Sequence, residues 1–238
     1  MSLSLILIII GVVATGGALF AAWLKTRERM LLQKQKQLRM LLQRYHETEP
    51  LLTFLLEKDT SADVARTLNQ DLLDMCRQMQ RLDPNHSEVL QLLESCMQRE
   101  SQLATGTWSP KTESIVESDQ QLQRIQQVFN QITHKLQRMK LRGKLPAATY
   151  ESHVAHLRGR LLQIQVDSHR ALAERLLAED NRRDAEMHLK HARSALQKSS
   201  HQFDGKTELI KTLSDQIKAL QRGELPDQNP KSTEAPQG

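Results

Sequence analysis

Aromatic residues are scarce: two Trp, two Tyr and four Phe make up 3% of 238 residues that are 39% hydrophobic overall. Burial therefore rests on Leu, Ile, Val, Ala and Met, which argues against a β-sandwich or barrel with its aromatic and β-branched strands. Nine Gly and seven Pro are few for this length, so strands joined by frequent tight turns do not fit. Two Cys cannot build a disulfide framework or a cysteine-based zinc module. A formal net charge of +5, over 33 basic and 28 acidic residues, is too mild to announce a nucleic-acid binder. The sequence also lacks a Gly-rich phosphate loop, a nucleophile elbow, an HExxH motif and a paired-carboxylate context. No enzyme and no cofactor is expected on that pattern. An all-α chain remains.

What is present begins at the N-terminus. No residue from Ser2 to Leu24 is charged, and the run is dominated by Leu, Ile and Val. As a helix rising about 1.5 Å per residue, some 22 residues reach roughly 33 Å, slightly more than a hydrocarbon core. A cleaved signal peptide would need a basic start, a shorter apolar stretch and a small-residue exit site; a retained anchor fits better. The flank is basic, with Lys25, Arg27, Arg29, Lys34, Lys36, Arg39 and Arg44 against the single acid Glu28. Positive flanks stay in the cytoplasm, so the expected topology is N-terminus out and the remainder cytoplasmic, in a bacterial inner membrane. Trp23 suits the interface, and Lys25, Arg27 and Arg29 can also rest on anionic headgroups. Ala14, Gly17, Ala18, Ala21 and Ala22 share one helical face, the kind through which two spans can pair as a homodimer.

The expected domains are a transmembrane anchor over 1–24, a basic juxtamembrane helical stalk over 25–50 ended by Pro50, and an acidic helical hairpin over 51–104. A linker (105–110), a coiled-coil-like region (111–222) and a disordered tail (223–238) follow. In the hairpin, Thr60 or Ser61 is a candidate cap for the first helix and Ser87 for the second, with Asp83-Pro84-Asn85 as the turn. Residues 45–110 hold eleven acids and five bases. Cys76 and Cys96 fall on its two apolar stripes and read as small buried hydrophobes.

The strongest periodicity lies downstream. Leu122, Ile125, Phe129, Ile132, Leu136 and Met139 alternate spacings of three and four, and Ile115 extends the series upstream. That is an a/d seam. Gly143, then Leu145 and Pro146, reads as a helix stop. Tyr150, Val154, Leu157, Leu161 and Ile164 repeat the rhythm, so the two helices should pack as an antiparallel pair. Further on, Ala173, Leu176 and Leu177, then Ala185, Leu189, Ala192 and Leu196, resemble the small and large packing positions of a tetratricopeptide helical pair. The resemblance covers about 27 residues and has no second copy at the 34-residue period, so it implies hairpin packing. A last helix, roughly 207–222, presents Leu209, Ile210, Leu213, Ile217 and Leu220.

His153 with His156, and His188 with His191, stand three apart, a spacing that can bring two imidazoles together on a metal. Their Arg-rich surroundings read instead as solvated surface histidines, and no metal is expected. Lys135, Arg138, Lys140, Arg142 and Lys144 end the seam helix as a basic cluster, without interleaved aromatics to stack bases. The functional expectation is a single-pass adaptor or scaffold that binds protein partners at the cytoplasmic face. Its partner-binding seam is Leu122, Ile125, Phe129, Ile132, Leu136 and Met139. The alternatives are an anionic-lipid or nucleic-acid-binding membrane-associated protein, or an accessory subunit of a membrane complex.

Overall fold

The computed structural model describes residues 3–58, 62–106, 116 and 118–223, with side chains from Trp23 onward. Seven helices and no strands occur among them: α1 (Leu3–Lys58), α2 (Ala62–Leu82), α3 (Ser87–Thr105), α4 (Asp119–Leu141), α5 (Ala147–Ala178), α6 (Arg182–Lys198) and α7 (Lys206–Gln221). Among the described residues no helix is long and apolar enough to cross a membrane. The side chains of residues 3–22, where the anchor and its small-residue face are expected, lie outside them. So do the candidate caps Thr60 and Ser61, most of the linker, Ile115 and the tail beyond Gly223.

Pro50 does not end the stalk. α1 runs through it to Lys58 as one 56-residue helix. A helix-interior proline costs about 3 kcal/mol, because it removes one amide donor and crowds the carbonyl four residues back. Here that carbonyl belongs to the exposed His46, so water can satisfy it. Continuing the helix buries Leu52 and Leu55 completely, worth roughly 1.5–3 kcal/mol each. Burial therefore outweighs the break.

The chain divides into two compact units, Met1–Leu52 with Ala65–Trp108, and Thr53–Val64 with Ser109–Gly238. In the first, α2 and α3 form the expected antiparallel hairpin. Arg66 donates to the Leu103 carbonyl at 2.9 Å, and the Asn69 amide donates to the Cys96 carbonyl at 3.0 Å and to Glu100 at 2.9 Å. The connecting turn is closed by the Asn85 amide, which donates to the Asp83 carboxylate at 3.3 Å. Ser87 is not the cap: it is the first helical residue, and His86 holds the cap position without a side-chain bond. The turn places the chain's change of direction one residue earlier than the Ser suggested.

The second unit is built on hairpins. Ser118 caps α4, accepting from the Gln121 amide at 3.4 Å. α4 stops where Gly143 takes φ 71°, with the Lys144 amide donating to the Met139 carbonyl and that of Gly143 to Lys140, each at 3.0 Å. This satisfies carbonyls that the helix end would orphan. Pro146 then leads into α5, and Lys140 meets Tyr150 (4.8 Å to the ring centroid) and Glu151 (4.0 Å), fixing the antiparallel register of α4 and α5. α5 and α6 turn on Asp180 and Asn181. Asp180 adopts φ 57°, and the Asn181 amide reaches the Leu176 carbonyl at 2.8 Å. Leu162, Val166 and Ala173 of α5, Ala185, Leu189, Ala192 and Leu196 of α6, and Leu213, Ile217 and Leu220 of α7 make one apolar cluster. The side chain of Lys206 is buried too, and donates to the carbonyls of Ser199 (2.7 Å) and His201 (3.0 Å), tying down the α6–α7 loop.

Candidate functional site

Every described member of the a/d seam faces inward. Leu122, Ile125, Phe129, Ile132, Leu136 and Met139 are between 0% and 6% exposed within the single chain. Phe54, from the last turns of α1, stands edge-on to Phe129 with centroids 5.8 Å apart and planes at 86°, an arrangement aromatic rings favour. The seam is thus closed inside the second unit, and in this conformation it offers no free stripe to another molecule.

The topology residues are placed differently. Trp23 and every residue from Leu24 to Gln37 are exposed, Lys25, Arg27 and Arg29 among them. The Arg27 guanidinium lies 5.4 Å from the Trp23 ring centroid, a cation–π pair. Tyr45 is the first fully buried side chain along the stalk. There the buried part of the first unit begins, with a polar cluster. The Tyr45 hydroxyl is 3.5 Å from the Cys96 sulfur, and Arg99 donates to Tyr45 Oη at 3.3 Å and to Glu49 at 3.1 Å. Cys76 and Cys96 are both free, and both are 0% exposed. A hydrogen bond from Cys76 draws the Cys96 thiol down to about 6, with Tyr45 and Arg99 acting in the same direction against burial. Giving that bond, together with burial, drives Cys76 upward.

Two of the four histidines are not solvated surface groups, whereas His156 is half-buried and His191 is exposed. His153 and His188 are buried, at 7% and 8% exposure; His188 lies against His169 of α5, and Asp63 and His156 neighbour His153. The rings of the i,i+3 pair His188 and His191 come together with centroids 6.5 Å apart, but the closest approach between ring nitrogens is to a third histidine. His188 of α6 meets His169 of α5, Nδ1 to Nδ1 at 3.1 Å. His191 stacks on His169 with centroids 5.4 Å apart and planes at 26°. Asp119, in the first turn of α4, brings a carboxylate oxygen so that one ligand atom from each of Asp119, His169 and His188 lies within 4.8 Å of the others. Burial and the neighbouring His188 ring push the His169 imidazole below its ordinary value, with Asp119 opposing. No sequence motif could flag this cluster, because its members are 50 and 19 residues apart. The hairpin register does: the two helices that put Lys140 beside Glu151 at the closed end put Asp119 beside His169 at the other.

Between α5, α6 and the α6–α7 loop lies a cavity of about 480 Å³ lined by Arg160, Leu162, Asp167, Leu196, His201 and Phe203 among others. Gly159 is one wall. A Cβ there would stand 2.7 Å from His201 Nε2, so the close approach of this ring requires glycine. Burial raises the Asp167 carboxyl, against the pull of Arg170 and Arg160. Arg160 donates to the Lys58 carbonyl at 2.8 Å.

Comparison with protein-family models, with curated proteins and with solved structures finds no match to this chain.

Proposed function

We propose that this chain is a single-pass, membrane-tethered helical adaptor or scaffold that binds protein partners at the cytoplasmic face. The observation that carries the reading is α1. One helix links the uncharged run before Lys25 to the first buried core residue, Tyr45, through an exposed basic stretch. Twenty residues of helix between them span about 30 Å. The stalk is thus a stiff spacer that would hold the helical units clear of the headgroups. Tethering confines those units to the membrane plane and raises the effective concentration of whatever they bind. Since the a/d seam is closed within the chain, partner contact falls to the outer faces. Leu90 and Met97, one heptad apart on α3, remain 42% and 58% exposed.

Crosslinking of the full-length protein in intact membranes, with identification of what is attached, tests the reading. A defined protein partner, lost in Leu90→Glu with Met97→Glu while membrane fractionation is unchanged, is the expected result. Digestion of the C-terminal region by protease added outside spheroplasts would overturn the topology, and crosslinks to lipid alone would overturn the adaptor role. The exposed Trp23–Arg27 pair and the basic flank favour a second reading, in which the stalk itself binds anionic lipid. That reading requires association that falls steeply with salt and weakens when Lys25, Arg27 and Arg29 become Gln.

A further inference from the structure

We propose that Asp119, His169 and His188 form a binding site for a divalent transition-metal ion, of which zinc is the type. The three residues come from three helices, the start of α4, the far part of α5 and the first half of α6, so an ion held there would cross-link the open end of the α4–α5 hairpin to α6. Zinc bound to imidazole nitrogens at about 2.0–2.1 Å in tetrahedral geometry places its ligand atoms roughly 3.3–3.4 Å apart. The two Nδ1 atoms already stand 3.1 Å apart, so admitting the ion needs them to separate by only a few tenths of an ångström. A carboxylate oxygen of Asp119 lies within 4.8 Å of one ring nitrogen of each histidine. The Asp119 side chain is exposed and can close that gap by a change of rotamer.

The donor set decides the class of ion. Two imidazoles and one carboxylate suit zinc, cobalt, nickel or copper, whereas calcium and magnesium favour all-oxygen shells. The exchange is balanced without a redox step. The Nδ1···Nδ1 hydrogen bond needs a proton on one Nδ1; with the ion bound, each neutral ring keeps its proton on Nε2 and directs the Nδ1 lone pair to the metal. A water completes the fourth position. His191, stacked face to face on His169, fixes the plane of that ring and acts as a positioning residue. Nothing in this assignment depends on the membrane tether.

The test is zinc titration of the detergent-solubilised full-length protein in competition with a chromogenic chelator, alongside cobalt substitution read by visible absorption. One ion per chain and the ligand-field bands of tetrahedral cobalt are expected. Loss of groups that only support a ligand weakens metal sites about 10–100-fold. Asp119→Asn and His169→Gln, each removing a direct ligand, should therefore weaken binding by more than about a hundredfold, whereas His156→Gln should leave it unchanged. Asp119 is exposed, so Asp119→Asn keeps the fold intact, and zinc should raise the melting temperature of the parent protein but not of this variant. Absence of saturable zinc uptake, or uptake equal in the parent, Asp119→Asn and His169→Gln, overturns the site.

Discussion

Ile132 lies at the centre of the a/d seam and is 0% exposed, which makes Ile132→Ala a direct test of where the seam spends its apolar surface. The change deletes three carbons. At about 0.8 kcal/mol per buried methylene the transfer loss alone is roughly 2.4 kcal/mol, and the cavity left behind brings the total to about 3–4 kcal/mol. For a unit of this size that corresponds to a fall in melting temperature of roughly 6–15 °C, readable by far-UV circular dichroism on the full-length protein in detergent. If the seam instead paired with another molecule, the isolated chain would leave Ile132 in water and the melt would barely move. The double variant Ile125→Asp with Ile132→Asp sharpens the contrast. Two carboxylates in a closed core must unfold the second unit, so partner capture and the cooperative melt should be lost together. A normal melt with capture abolished would refute the internal packing argued here.

Asp180→Gly should raise the melting temperature, since Asp180 holds φ 57° at the turn between α5 and α6 and glycine adopts that conformation without the steric cost, a gain of roughly 0.5–1 kcal/mol; an unchanged or lower melting temperature would show that the exposed Asp180–Arg182 pair outweighs it. Burial holds the His153 imidazole below its ordinary value, with His156 reinforcing and Asp63 opposing. Between the unfolded value of about 6.5 and the folded one, the unfolded chain binds more protons, so stability should fall as pH drops through that window and level off below it. Urea midpoints across pH should show a shallower slope for His153→Gln, and an identical slope would dismiss the assignment. Cys76 and Cys96, both fully buried, should react with iodoacetamide only as the first unit opens, despite the depressed Cys96 thiol; rapid labelling of the native protein would contradict this.

The helices were legible where one face alone is buried. In α4 the six apolar positions at spacings of three and four are the six that the structure buries. α5 was legible in half. Val154, Leu157 and Ile164 follow the rhythm of α4, but Leu162, Val166 and Ala173 form a second buried stripe toward α6 and α7. A helix buried on two sides loses its amphipathic contrast, so no period in its sequence separates the faces. Polar residues that join different helices were out of reach for a different reason. Asn69, Lys206 and Asp119 owe their roles to partners on other helices or loops, and a residue's own neighbours in sequence carry no record of them. The hairpin of α5 and α6 was legible from its packing positions, but the residue at its turn was not, because Asp180 holds a position where glycine is the usual signal.

Pro50 shows how far a local rule reaches. Read by itself it ends a helix, and the apolar cluster after it becomes a separate packing patch. In the fold the same cluster is the continuation of α1: Leu52 belongs to the first unit and Leu55 to the second. The helix that begins with the uncharged N-terminal run therefore contributes buried side chains to both cores. A break at Pro50 would have disconnected that run from the second unit. Burial of Leu52 and Leu55 keeps α1 whole through Pro50.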